Sequence, residues 1–97
     1  MVRLGVRWTA RASKRLEQIG DYISTDDEDA AERVILRIVS AVELLAQMPF
    51  MGRPGRRKGT RELILPDLPY IIPYRITGKE LQILAIVHMA QRWPARL

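Results

Sequence analysis

The chain contains no cysteine and a single histidine. Without cysteine there can be no disulfide framework and no thiolate metal site, and one histidine gives little basis for a structural zinc site. The sequence also has no apolar run near the ~20 residues of a membrane span, and no apolar segment typical of a secretory signal. We therefore expect a cytoplasmic protein that uses no metal and no other cofactor.

Negative charge is scarcer than positive charge. Sixteen Lys and Arg residues stand against eleven Asp and Glu, which gives a net charge of +5 and a pI near 10.2. This balance favours an acidic partner, namely nucleic acid, a ribosome or an acidic protein, although an inert basic surface would have the same composition. The charge is also polarised, since residues 21–32 hold six acids and no base while residues 44–61 hold five bases and no acid.

The length of 97 residues, of which 47% are apolar, predicts one domain over 1–97 with one hydrophobic core. Alternation over residues 2–8 predicts a short strand that Trp8 closes. Thr9 is a suitable N-cap for a first helix. One helical stripe follows, formed by Ala12, Leu16, Ile19 and Ile23. The polar residues Arg11, Lys14, Arg15 and Gln18 lie off that stripe, and we interpret them as a solvated helix face.

A second helix is predicted from about Glu28 to Met48, where Pro49 ends it. Asp26 or Asp27 can cap it, and the neighbouring carboxylates are favoured by the positive end of the helix dipole. The spacing of these acids matches no calcium loop. Two helices joined by so short a polar turn predict an antiparallel hairpin whose apolar faces need a sheet to cover.

Residues 49–63, PFMGRPGRRKGTREL, form the most basic stretch of the chain. Its cations are Arg53, Arg56, Arg57, Lys58 and Arg61. Three glycines and two prolines exclude a helix here. The stretch is therefore predicted to be a loop that joins the helical half to the sheet half and presents positive charge to a partner.

Three strands are predicted after this loop, over Arg61–Leu65, Pro69–Ile76 and Leu81–His88. Pro73 inside the second predicts an edge position or a bulge. The third is apolar on both faces, as a central strand would be. The order is β-α-α-β-β-β, so the fold class is α+β, an antiparallel-rich sheet with a helical hairpin packed on it.

Six short motifs together resemble the RelE/ParE superfamily, the toxins of bacterial type II toxin–antitoxin modules. They are W-T-x-x-A at 8–12, Leu16 with Ile19 and Tyr22-Ile23, P-x-x-G-R at 49–53, G-T-R-E-L at 59–63, P-Y-I-I-x-Y-R at 69–75, and V-H-x-A-Q-R-W-P at 87–94. The resemblance implies the same β-α-α-β-β-β fold. It also implies a cognate antitoxin, acidic and partly disordered and similar to ParD, that binds the toxin in a hetero-oligomer.

The resemblance leaves two mechanisms open, because fold does not decide between them. ParE-like members poison DNA gyrase, and are associated with plasmid stabilisation and growth arrest. RelE-like members cleave mRNA on the ribosome, which requires an acid, a base and cations around one phosphate. The candidates for such a nuclease would be Arg61, Arg75, His88 and Lys58.

The ParE-like alternative is favoured, because no tyrosine follows Tyr74 to complete a RelE-like C-terminal site. An inactive module that only binds its antitoxin is a third alternative. In the favoured one no catalytic residue is required, and the residues expected to bind the antitoxin or the target are basic or C-terminal. They are Arg53, Arg56, Arg57, Lys58, Arg61, Arg75, Gln91, Arg92 and Trp93.

A lone histidine at a strand end is more often structural than catalytic. We interpret four aromatic residues as packing residues, namely Trp8, Trp93, Tyr70 and Tyr74. Glu62 is interpreted as a structural partner for a cation other than Arg61.

Overall fold

The structure, a computed structural model, describes residues 3–97, so Val2, the first residue of the predicted N-terminal strand, lies outside the described residues. Two helices and six strands follow one another along this part of the chain. They are β1 (Gly5–Trp8), α1 (Ala10–Ser24), α2 (Glu28–Gln47), β2 (Arg53–Pro54), β3 (Arg61–Ile64), β4 (Tyr70–Thr77), β5 (Glu80–Ile83) and β6 (Val87–His88). Neither helix in the described range is long and apolar enough to cross a membrane.

Both helices begin at the predicted caps. The Thr9 side chain accepts a hydrogen bond from the Ala12 N–H, and the Asp27 carboxylate accepts one from the Ala30 N–H, so each satisfies an orphan donor of the first turn. Glu28 and Asp29 occupy the first turn of α2, where the helix dipole favours negative charge. The two helices pack against each other along α1 and α2, which confirms the predicted hairpin.

The strands form one mixed sheet in the order β1-β5-β4-β3-β2, and β6 pairs with β4. β1 runs parallel to β5, and the other pairs are antiparallel. The helical hairpin links β1 to the rest of the sheet, so β1 lies beside a strand more than 70 residues later. The predicted α+β class is confirmed, with the short strand β2 as an addition that the sequence did not predict.

β4 is a central strand, so the edge position predicted from Pro73 is wrong. Leu84 donates its N–H to the Pro73 carbonyl at 3.0 Å, on the side where β5 has ended at Ile83 and β6 has not yet begun at Val87. Because the neighbouring ladder is interrupted there, the missing proline N–H costs no strand pairing. The same interruption divides the predicted strand Leu81–His88 into β5 and β6.

Strand alternation gives the sheet two faces, which we call the helix face and the outer face. Leu63, Ile72, Tyr74 and Ile83 lie on the helix face and form the core together with apolar side chains of both helices, such as Ile38 and Leu45. Since Arg61 stands opposite Tyr74 in register, Arg61 also lies on the helix face. Glu62, Pro73 and Arg75 alternate with them and lie on the outer face.

Candidate functional site

Glu62 is the centre of the basic loop. Its side chain is only 2% exposed, although it carries a carboxylate. The Arg53 guanidinium donates to Oε1 at 3.0 and 3.2 Å, and Arg53 stands opposite Glu62 in the β2–β3 register. The Arg56 backbone N–H donates to Oε2 at 2.8 Å, while the Arg56 guanidinium lies 3.5 Å from the same oxygen. Glu62 therefore offsets one of the two positive charges of Arg53 and Arg56 within the protein, and the prediction that Glu62 has a structural partner other than Arg61 is confirmed.

The environment of Glu62 determines its pKa. Burial by itself raises the pKa of this carboxyl, but the Arg56 N–H, the Arg53 guanidinium and the charges of both arginines outweigh burial. The net result is a pKa below the usual value near 4.5. Glu62 is therefore ionised at neutral pH and holds the loop electrostatically.

The C-terminal segment 89–97 is joined to this loop by two arginines. The Arg56 guanidinium stacks on the Trp93 ring, 3.5 Å from its centroid, which is a close cation–π contact. Arg57 donates to the Pro94 carbonyl at 2.7 Å. The predicted binding residues of the loop and of the C-terminal segment are thus brought together on one surface, although Trp93 acts there as a stacking partner of Arg56.

Arg61 is used to hold the loop from the helix face. Its guanidinium donates to the Gly52 carbonyl at 2.6 Å and to the Phe50 carbonyl at 3.2 Å, and it lies 5.4 Å from the centroid of the Phe50 ring. The buried Tyr74 hydroxyl accepts from the Gly52 N–H at 2.9 Å and donates to the Pro49 carbonyl at 2.7 Å. A Cβ on Gly52 would lie 2.5 Å from that hydroxyl oxygen, so glycine is required there. The prediction that Tyr74 packs in the core is confirmed.

The remaining nuclease candidates lie far from one another. Arg75 is exposed on the outer face, and its Nε lies 3.3 Å from the Gln82 side-chain oxygen. His88 stands opposite Tyr70, so it lies about 13 Å along β4 from the position of Arg61. Lys58 is exposed in the turn that Gly59 permits with a φ of 76°.

His88 has a structural set of contacts. Its Nδ1 accepts from the Ala90 N–H at 3.1 Å, and its ring meets the Tyr70 ring edge to face at a centroid distance of 5.5 Å. Its backbone N–H points to the Gln91 side-chain oxygen at 3.3 Å. Nδ1 is therefore occupied by a backbone donor, and the ring is held against an aromatic side chain.

An exposed apolar patch beside the basic loop was missed in the sequence. Phe50, Met48 and Met51 are 73%, 50% and 40% exposed. An adjoining groove of about 360 Å³ between α2 and β3 is lined in part by Leu44 and Ile64, which are also exposed. The run Met48–Met51 next to a helix end was the available signal, since apolar side chains in a proline-containing loop have few core positions to fill. Such patches mark protein–protein contacts more often than nucleic-acid contacts.

Comparison with known proteins places this geometry in a family. Residues 6–93 match the family model described as the ParE toxin of the type II toxin–antitoxin system parDE. The chain is 56% identical over 94 residues to "Putative toxin Y4kP" of Sinorhizobium fredii, which covers 97% of each chain. It is 37% identical over 86 residues to Toxin RelE2 of Caulobacter vibrioides, covering 89% of this chain and 96% of that protein.

A solved structure has the same fold. A chain from the chromosomal ParDE toxin–antitoxin system of P. aeruginosa superposes with a TM-score of 0.80 at 34% identity, over 89% of this chain and 96% of that one. The family model covers nearly all of the residues from β1 to the Trp93 stack. The chain therefore belongs to the ParE toxin family of type II toxin–antitoxin systems.

Proposed function

We propose that this toxin inhibits DNA gyrase and is neutralised by a cognate antitoxin. The observation that carries the proposal is the separation of the nuclease candidates: Arg61 and Arg75 lie on opposite faces of the sheet, and His88 lies about 13 Å along β4 from Arg61. One phosphate cannot be reached by all three. The chain belongs to the ParE family, and the resemblance to ParE implies gyrase as the target, which supports gyrase inhibition.

A protein target also agrees with the surface of the loop. Glu62 offsets one of the two positive charges of Arg53 and Arg56, which lowers the positive charge that a nucleic acid would meet. Phe50, Met48 and Met51 instead offer apolar area next to it. Apolar and aromatic side chains at the centre of an interface with arginines at its rim are typical of protein–protein contacts.

The antitoxin is proposed as the occupant of the apolar groove between α2 and β3. The groove has a mostly apolar lining, such as an apolar helix face would cover, and Arg37 at one side already holds Asp67 in a bidentate pair at 2.8 and 2.9 Å. The ParDE system of P. aeruginosa, which contains a chain of the same fold, supports this partner.

Two purified assays test the proposal side by side. We expect the toxin to block DNA supercoiling by gyrase and to leave mRNA on programmed ribosomes uncut. The antitoxin encoded by the adjacent reading frame should co-purify with the toxin and restore supercoiling. His88→Ala should retain full gyrase inhibition, because the ring has a structural set of contacts.

The second candidate function is ribosome-dependent mRNA cleavage, which the relative named Toxin RelE2 favours. Cleavage of ribosome-bound mRNA that His88→Ala or Arg75→Ala abolishes would overturn gyrase inhibition as the function. Antitoxin binding without activity in either assay would instead support the inactive module.

A further inference from the structure

A second basic surface lies on α1, and the C-terminal segment 89–97 contacts both this surface and the loop. A pocket of about 270 Å³ opens between the first half of α1 and the C-terminal segment. Arg11, Lys14 and Arg15 form its helical wall, and Gln91 and Pro94 form the opposite wall. Its floor is the interrupted part of the sheet between β5 and β6, where Ala85, Ile86 and Val87 are buried.

The positive charge of this pocket has no counter-charge within residues 3–97. None of the ion pairs formed in that range involves Arg11, Lys14 or Arg15, and no acid lines the pocket. The partners that these side chains do have are neutral: Arg11 donates to the Arg96 carbonyl, and Arg15 lies 3.5 Å from the Gln91 side-chain oxygen. This differs from the loop, where Glu62 pairs with two arginines.

Two features of these cations indicate that the pocket can bind an anion. Arg11 stands three and four residues before Lys14 and Arg15, so the three like charges lie on one helix face and repel one another. The Nε of Arg15 is buried, yet it has no hydrogen-bond partner among the described residues. A buried donor without an acceptor is unfavourable, and a carboxylate or phosphate oxygen in the pocket would satisfy it.

The apolar lining of the pocket favours a carboxylate over a phosphate. The exposed lining of the pocket as a whole is more apolar than polar, with Ala85, Ile86 and Val87 at its floor. A glutamate or aspartate carried on an aliphatic stem can satisfy the arginines while its stem and an adjacent apolar residue cover the floor, whereas a phosphodiester has no comparable apolar group. At about 270 Å³ the pocket lies just below the range of about 300–1,000 Å³ that is usual for small-molecule pockets, a size that suits one or two side chains.

We propose that this α1 pocket receives an acidic side chain of the antitoxin, together with an apolar neighbour. The inference rests on the proposed antitoxin partner, and it makes the pocket a second docking point beyond the apolar groove between α2 and β3. The net charge of +5 argues against a second copy of this chain as the occupant, because two copies repel each other.

Calorimetric titration of the full chain with the antitoxin from the adjacent reading frame tests the pocket. We expect Arg11→Gln/Arg15→Gln to weaken antitoxin binding by about tenfold or more, because two charge-assisted hydrogen bonds are removed. The matched control is Arg33→Gln/Lys79→Gln, which removes the same charge at two exposed positions outside the pocket. The control should change the Kd by less than about twofold.

Thermal unfolding of each variant establishes that it is folded. Should the double variant not fold, Lys14→Gln replaces it, because Lys14 is exposed. Equal losses for the pocket and control variants, or no loss for either, would overturn the proposal. A short DNA duplex that binds the wild type and loses binding in the pocket variant, while antitoxin binding is unchanged, would assign the pocket to nucleic acid and overturn it as well.

Gyrase assays on the same variants separate this inference from the proposed function. The pocket variant should inhibit gyrase as the wild type does and be neutralised less well by the antitoxin. If the wild type does not inhibit gyrase but binds the antitoxin in a pocket-dependent way, the proposal of gyrase as the target is contradicted and the pocket proposal is not. An antitoxin that does not bind the wild type would overturn both the proposed partner and the pocket.

Discussion

Glu62 is almost completely withdrawn from water and still carries a charge. Removing a carboxylate from water is costly unless cations and donors replace the hydration. Arg53, the Arg56 N–H and the Arg56 guanidinium do so here, and both guanidiniums stay about half exposed at 51% and 45%. The ion pairs of Glu62 with Arg53 and Arg56 are therefore neither fully buried nor simple surface ion pairs. Their contribution to stability should lie between those of a buried and a surface ion pair.

Glu62→Gln should lower the free energy of unfolding by about 1–3 kcal/mol at neutral pH, because the amide keeps the shape but loses the charge that both arginines face. The folded-state pKa of Glu62 is lowered, so its stabilisation is present above the unfolded value near 4.5 and is lost as the pH falls through the lower folded value. Urea unfolding at a series of pH values should show the wild type approaching the variant on acidification.

Glu43→Gln serves as the matched control, since Glu43 pairs with Arg3 at an exposed position with half of its side chain accessible. Its effect should stay within about 0.5 kcal/mol. Asp67, whose pKa is lowered by its hydrogen bond to Arg37, is present in all three proteins and cancels in the comparison. A gap between wild type and Glu62→Gln that does not narrow at acidic pH would contradict the role of the charge.

At the scale of the element, α1 is attached to the sheet through its own N-cap. The Thr9 hydroxyl accepts from the Ala12 N–H at 3.2 Å and lies 2.8 Å from the Ile83 carbonyl, to which it donates. The Thr9 N–H also donates to the Ile83 carbonyl at 3.1 Å. The Thr9 side chain thus caps α1 and also hydrogen-bonds to Ile83, the last residue of β5, where the ladder is interrupted.

Thr9→Ala should lower the free energy of unfolding by about 1–2 kcal/mol, because it removes a helix cap and leaves the Ile83 carbonyl with one donor fewer. Thr9→Ser should retain most of that stability, since the hydroxyl remains. Chemical denaturation of the two variants measures the difference. Thr25→Ala at the exposed end of α1, where the hydroxyl donates to the Asp21 carbonyl, should have a smaller effect, and equal losses at both sites would refute the special role of Thr9.

For the molecule as a whole, the structure shows which of the positive charges in the sequence have partners within the protein. The sequence locates the basic surface at the loop 53–61, but Glu62 and backbone carbonyls use four of its arginines. In the described part of the chain, no acidic side chain forms an ion pair with Arg11, Lys14 or Arg15. An approaching acidic protein should therefore be attracted to the α1 side as well as to the loop.

Association with the proposed antitoxin should depend on salt. Long-range attraction between a chain of net charge +5 and an acidic partner accelerates encounter, and added salt screens it. Stopped-flow measurements should show the association rate falling by roughly tenfold or more from low to near-molar salt, while the dissociation rate changes much less. An association rate independent of salt would contradict electrostatic attraction to an acidic partner.

The sequence by itself determined the helices, because caps and apolar stripes act within a few turns of chain. Thr9, Asp27 and the stripe through Ile19 are local signals, and each predicted its element. The motif resemblance likewise indicated the family, and the family model confirmed it.

Only the tertiary structure decided which residues share a surface. Sheet register places Arg61 and Arg75 on opposite faces, gives Pro73 a place in a central strand and brings Trp93 onto Arg56. These relations depend on strand partners distant in the chain, which no local pattern specifies. For the same reason the sequence does not show that the buried Glu62 pairs with two arginines of the basic loop.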